Sequence, residues 1–240
     1  MGLLRSAAGD AVLTCLWVAS VSTLGTLTYL SATALSVPPQ SATGLLLTTA
    51  LASALVLLFS VLGALLGGAS FNPATTVAFR AAGLRPDASL LSLAVRFPAQ
   101  AAGGVAGANA ILRLMPAKYK HMLRGPSLRV DLHTGAAAEG ALTFGICLAA
   151  LVIFVKGPRS LLVKVWLLAM ATVGLVVVGS SYTGPAMNPA NAFGWAYVND
   201  WHNTWDQFFV YWICPFVGAT LAGWAFRLLF PIEKPKEKKA

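Results

Sequence analysis

Acidic side chains are scarce in this sequence. Asp and Glu together number 8 in 240 residues, and all charged residues make up 10%, against roughly 25% in an ordinary soluble domain. A chain so poor in charge and 57% apolar cannot present a soluble surface, so a water-soluble globular protein is excluded. Cysteine is nearly absent as well. Cys15, Cys147 and Cys214 fall in separate apolar runs without Cys-x-x-Cys spacing, so they read as small apolar residues rather than a disulfide or metal framework. His121, His133 and His202 lie in polar connections without His-x-x-x-His spacing, so no metal is expected. No nucleophile–base constellation marks an enzyme, and nothing calls for a cofactor.

What the chain does have is long apolar runs. A membrane-spanning helix needs about 17 to 25 apolar residues, and six runs qualify: 11–35, 45–66, 88–112, 135–155, 161–179 and 208–230. They predict an all-α membrane protein with one transmembrane domain over 1–240. The first run is too long for a signal-peptide core and lacks a cleavage site, so it reads as a retained helix. The net charge of +9 sits in the connections, where it signals topology rather than nucleic acid. Six spans put twelve of the 17 basic residues on the side of the termini, which predicts cytosolic termini. Against that rule, Arg113, Lys118, Lys120, Arg124 and Arg129 crowd the connection between spans three and four.

The informative stretch runs from Tyr182 to Ala196. After an apolar run, Asn188-Pro189-Ala190 is written as a helix start, with Asn as N-cap and Pro in the first turn. Irregular backbone at membrane depth is tolerated only where it is buried in protein or lines a water-filled cavity. The triplet recurs 116 residues earlier as Asn72-Pro73-Ala74, and Ala106-Gly107 matches Ala222-Gly223 at the same offset. Asp10-x-x-Leu13-Thr14 matches Glu139-x-x-Leu142-Thr143, which opens two repeats at about 10–112 and 135–230. Three spans per repeat invert the second, so two half-helices enter from opposite faces and meet near the midplane. The longer first repeat places its extra residues in the 31–43 connection. Gly63, Gly67, Gly68, Gly103, Gly104, Gly107, Gly218 and Gly223 mark expected close helix crossings. For Asp10 and Glu139, a structural bond to half-helix backbone and a functional role stay open.

Two Asn-Pro-Ala triplets in inverted three-span halves, with Thr183-Gly184 before the second, resemble the aquaporin or major intrinsic protein family over nearly the whole chain. The basic charge, the short N-terminal arm, Pro185, Asn191 and the lysine-rich tail 231–240 resemble the plant small basic intrinsic proteins. Members of that group often carry an altered first triplet, whereas here Asn72-Pro73-Ala74 is intact.

The resemblance implies an aquaporin-like bundle of six transmembrane helices plus two half-helices, assembled as a homo-tetramer in membrane lipid. Its pore centre would comprise Asn72, Pro73, Ala74, Asn188, Pro189 and Ala190. It also implies a filter at the outer mouth, where family members place an Arg after the second triplet. Here that position is Asn191, and the other filter positions fall on Val176, Pro185 and Ala52. The expected activity is passive conduction of water, and of small neutral solutes such as hydrogen peroxide. The alternative is a non-conducting scaffold whose apolar mouth forms a dry plug. Lys236 and Lys238 fit a dilysine signal for retrieval to the endoplasmic reticulum.

Overall fold

With lipid for surroundings, each backbone N–H and C=O must find its partner inside its own segment, and the apolar runs accordingly fold as helix. The computed structural model describes residues 2–38, 40–85 and 88–231, and these contain no strand. The helices in chain order are α1 (Leu3–Val21), α2 (Leu24–Ala34), α3 (Ala42–Leu65), α4 (Pro73–Ala81), α5 (Leu90–Leu114), α6 (Leu132–Leu151), α7 (Leu161–Gly179), α8 (Pro189–Val198), α9 (Trp205–Phe208) and α10 (Cys214–Leu229). Five runs, Leu3–Ala34, Ala42–Leu65, Leu132–Lys156, Leu161–Gly179 and Trp205–Leu229, are long and apolar enough to cross a membrane. The sixth expected span is α5. It is long enough at 25 residues, but Arg96, Gln100 and Arg113 lower its hydropathy.

Three expectations need correction. The first span begins at Leu3 and is broken into α1 and α2, because Ser22 and Thr23 turn their hydroxyls back onto the carbonyls of Val18 (2.6 Å) and Ser20 (2.7 Å), competing with the helix ladder. The extra length of the first repeat lies mainly in its helices, since α2 and the start of α3 extend beyond the matching points of α6 and α7. Finally, Gly68 makes no close crossing, since a Cβ there would meet nothing within 4 Å; Gly67 and Gly68 adopt φ of 74° and 81°, a conformation that costs glycine little, and turn the chain from α3 toward α4.

The other glycines hold the bundle as expected. A Cβ on Gly103 or Gly107 would overlap the carbonyls of Ala11 and Cys15 in α1, and one on Gly218 would overlap that of Gly140 in α6. Gly104 lies against the Ala190 carbonyl of α8, and Gly223 against the Ala78 carbonyl of α4. Each half-helix therefore rests on a span of the other repeat, α8 on α5 and α4 on α10, so the halves interlock. Such contacts rely on close van der Waals approach, because lipid supplies no hydrophobic drive between helices.

Candidate functional site

The two triplets build matching structures. Asn72 caps α4 by accepting from the N–H groups of Ala74 (2.9 Å) and Thr75 (3.4 Å), and Asn188 caps α8 by accepting from Ala190 (3.1 Å) and Asn191 (3.4 Å). Pro73 and Pro189 follow in the first turn, where a missing N–H costs nothing, and Ala74 and Ala190 are fully buried. Each Asn amide then reaches across the repeat boundary. Asn72 Nδ2 donates to the Met187 carbonyl at 2.9 Å, and Asn188 Nδ2 donates to the Phe71 carbonyl at 3.0 Å. The helix starts thus face one another, and each amide keeps a second N–H beyond its cross-bond.

The acids at the repeat starts hold the loops that lead into these caps. Glu139 is fully buried and accepts from the Thr183 hydroxyl (2.8 Å) and the N–H groups of Ala186 (2.8 Å) and Met187 (2.6 Å). Met187 has φ of 47°, an uncommon conformation for a residue with a side chain. It persists because Glu139 grips its N–H and Asn72 its carbonyl. Tyr211 closes the far side of the loop, its hydroxyl donating to the Thr183 carbonyl at 3.0 Å. In the first repeat, buried Asp10 accepts from the Ser70 N–H at 2.8 Å, from Arg96 Nε and Nη2 at 2.7 Å each, and from Gln100 Nε2 at 2.7 Å. These bonds give Asp10 and Glu139 the structural role that the sequence left open. The repeats differ in one respect: Arg96 and Gln100 correspond at the 116-residue offset to Trp212 and Phe216.

A hollow of about 260 Å³, lined in part by Phe59, Ser60, Ser70, Phe71 and Thr75, reaches Asn72. It shares Gly68, Ala69 and Arg85 with an outer hollow of about 430 Å³. Phe71 stacks on Trp17 with ring centroids 4.1 Å apart and meets Phe59 edge-on at 5.9 Å, which stiffens the wall beside the cap.

The expected filter residues come from four segments. On α7, Val165, Ala169 and Gly179 are buried and mark the inward stripe. Val176 lies on that stripe and is 39% exposed. Ala52 is buried on the stripe of α3 that also carries Phe59 and Gly63. Pro185 packs against Gly179. Asn191 sits in the first turn of α8, and its Oδ1 is buried without a hydrogen-bond partner. The sequence did not single out Arg129, whose Nη1 donates to the Ser180 carbonyl at 2.7 Å beside this loop. The only signal was its place in a connection with more positive charge than topology calls for. Lys236 and Lys238 lie outside the described residues.

Residues 4–226 match the family model described as Major intrinsic protein. Aquaporin SIP1-1 of Oryza sativa subsp. japonica is 60% identical over 240 residues, covering 98% of each chain. Aquaporin SIP1-1 of Arabidopsis thaliana is 51% identical, over 100% of this chain and 98% of its own length. Among solved structures, the aquaglyceroporin from Plasmodium falciparum superposes with a TM-score of 0.67 at 18% identity, covering 95% of this chain and 96% of its own.

Proposed function

The chain belongs to the major intrinsic protein family, a family of membrane channels, and from that premise we propose that it is a passive water channel that also conducts small neutral solutes such as hydrogen peroxide. One observation carries the reading: the start of α4, cross-bonded to that of α8, lines a hollow that continues past Arg85. A helix start carries about half a positive charge and unsatisfied N–H groups. Two such starts, each with an Asn amide, bind a water oxygen and turn its hydrogens outward along the file. The same paired positive ends raise the energy of a cation or proton at that point.

At the outer mouth we assign the filter to Val176, Pro185, Asn191 and Ala52. These side chains are uncharged and mainly apolar, which favours neutral solutes over ions. We place the channel in the endoplasmic reticulum membrane with cytosolic termini, on the strength of Lys236, Lys238 and the loop charges, and as a homo-tetramer.

The test is stopped-flow shrinkage of proteoliposomes under an impermeant osmolyte, followed by glycerol and hydrogen peroxide as solutes. Water flux well above empty vesicles, with a low activation energy, is the expected result. Background flux from folded, inserted protein would sink the channel reading in favour of a scaffold. Replacing Lys236 and Lys238 with Ala should release the protein from the reticulum, as read by microscopy of the tagged chain.

A further inference from the structure

The filter positions lack a fixed charge, yet a cation stands beside the loop that carries one of them, Pro185. The connection between α5 and α6 folds back onto the loop that leads to Pro185. Ser127 N–H donates to the Thr183 carbonyl and Arg129 N–H to the Tyr182 carbonyl, both at 2.9 Å. Pro126 is buried, and Gly125 lies so close to Trp195 of α8 that a Cβ there would overlap the indole. These contacts fix the backbone of 125–129 against the 180–184 turn. From this support the Arg129 side chain reaches Ser180 at 2.7 Å, while its Nη2 lies 3.7 Å from the point where a Cβ on Gly184 would stand. Gly184 is bonded directly to Pro185.

We propose that Arg129 supplies, from this connection, the positive charge at the outer mouth that Asn191 does not, and so acts as a specificity-determining residue against cations and protons. The inference rests on the channel reading above. The guanidinium has five donors, and the Ser180 carbonyl is its one side-chain hydrogen-bond partner among the described residues. No carboxylate among them forms an ion pair with it. Its charge and remaining N–H groups are therefore presented to solvent beside the filter loop. Asn191 adds a buried, unpartnered Oδ1 on the first turn of α8, a neutral acceptor that cannot repel a cation. The conflict noted in the loop charges is then resolved in part, because Arg129 answers to the pore and not to topology.

A latch alone would also explain the hydrogen bond to Ser180, so the test separates charge from bond. R129Q removes the charge, and its amide, two bonds shorter than the guanidinium, also gives up Ser180; R129K keeps the charge and loses the planar fork; N191R added to R129A returns a charge to the mouth without the bond. Each variant and the wild type are reconstituted with a pH-sensitive dye inside the vesicles. Proton entry is driven by a potassium diffusion potential, and water flux is read on the same preparation. The expected result is a rise in proton entry for R129Q of a few-fold to about tenfold at low salt, shrinking as ionic strength screens the site. Water flux should stay within about twofold, and R129K should leak as little as the wild type. Normal water flux with no rise in leak for R129Q would overturn the inference while leaving the channel reading intact. Background water flux in the wild type would defeat both. Should R129Q fail to insert, N191R supplies the readout: added to R129A it restores cation exclusion if charge at the mouth is what matters, and leaves the leak unchanged if Arg129 is only a latch.

Discussion

Asn72 and Met187, 115 positions apart, are joined by a 2.9 Å hydrogen bond from the amide of one to the carbonyl of the other. The bond does two jobs. It holds the Met187 backbone at its unusual φ, and it aims the Asn72 amide at the start of the opposite half-helix. Its counterpart from Asn188 to Phe71 makes the junction of the two half-helix starts a product of both repeats, so damage to either triplet is felt by both.

Replacing Asn188 with Asp follows directly. The carboxylate still accepts from Ala190 and Asn191, but it loses the donor to Phe71 and places a negative charge where the paired positive ends repel cations. Water flux should fall severalfold, or a cation leak should appear, since the amide donor is lost and a negative charge stands at the meeting point of the two positive helix ends. Unchanged water flux and unchanged ion exclusion in proteoliposomes would show that Asn188 only caps its helix.

Glu139→Gln tests the loop that carries the second triplet. Gln is nearly isosteric, but its single carbonyl oxygen cannot serve the Thr183 hydroxyl and the two N–H groups as two carboxylate oxygens do. Each buried donor left unsatisfied costs about 1–3 kcal/mol, and Met187 loses one of its two restraints. The variant should melt at lower temperature in detergent, with water flux reduced in the fraction that remains folded. A melting temperature equal to the wild type would mean that the loop is held mainly by Tyr211 and by the 125–129 connection.

Much of this architecture was legible beforehand. Asn followed by Pro and Ala after an apolar run announces an N-cap wherever it occurs, and the doubled spacing gave both half-helices and their inversion. Gly103, Gly104, Gly107, Gly218 and Gly223 were readable as contact points because small residues are what close crossings require. What the letters did not reveal depends on through-space partners. Gly67 and Gly68 look like the others until their φ is seen. Arg96 appears in a hydropathy plot only as a blemish on α5, since nothing local says that it ends on Asp10, 86 residues away. Arg129 was hidden for the same reason, its contacts lying 51 positions along the chain.

Gly104 and Gly223 support the half-helices from the opposite repeat, and each leaves no room for a Cβ. Gly104→Leu or Gly223→Leu should push α8 or α4 off its seat, at a cost of 1–3 kcal/mol or more for overpacking. The measurable consequence is loss of folded protein by size-exclusion chromatography in detergent. Gly174, where a Cβ would meet nothing, is the control, and Gly174→Leu should elute like the wild type. Equal behaviour of all three would sink the claim that these contacts set the positions of α4 and α8.

Asp10 and Arg96 form a buried ion pair at 2.7 Å, with side chains 0% and 4% exposed. Breaking such a pair from one side costs about 3–5 kcal/mol because a lone charge stays buried, whereas replacing both partners with apolar residues is often neutral. Arg96→Met alone should therefore strand Asp10 with only Gln100 and Ser70 as donors, and Asp10→Leu alone should remove both Asp10 bonds from the guanidinium. The Asp10→Leu/Arg96→Met double variant should recover much of the loss in a double-mutant cycle on thermal stability. Recovery cannot be complete, because the Ser70 N–H loses its acceptor in any variant without the carboxylate. Strict additivity of the two single losses would show that the charges are solvated independently and that the pair does not hold α1 to α5. Glu139 has no cation at the matching place, so Trp212→Arg would make the complementary test by placing one there. If charge compensation is what the first repeat gains from Arg96, that variant should melt in detergent no lower than the wild type, and a lower melting temperature would show that Trp212 packing against Phe193 and Phe216 counts for more.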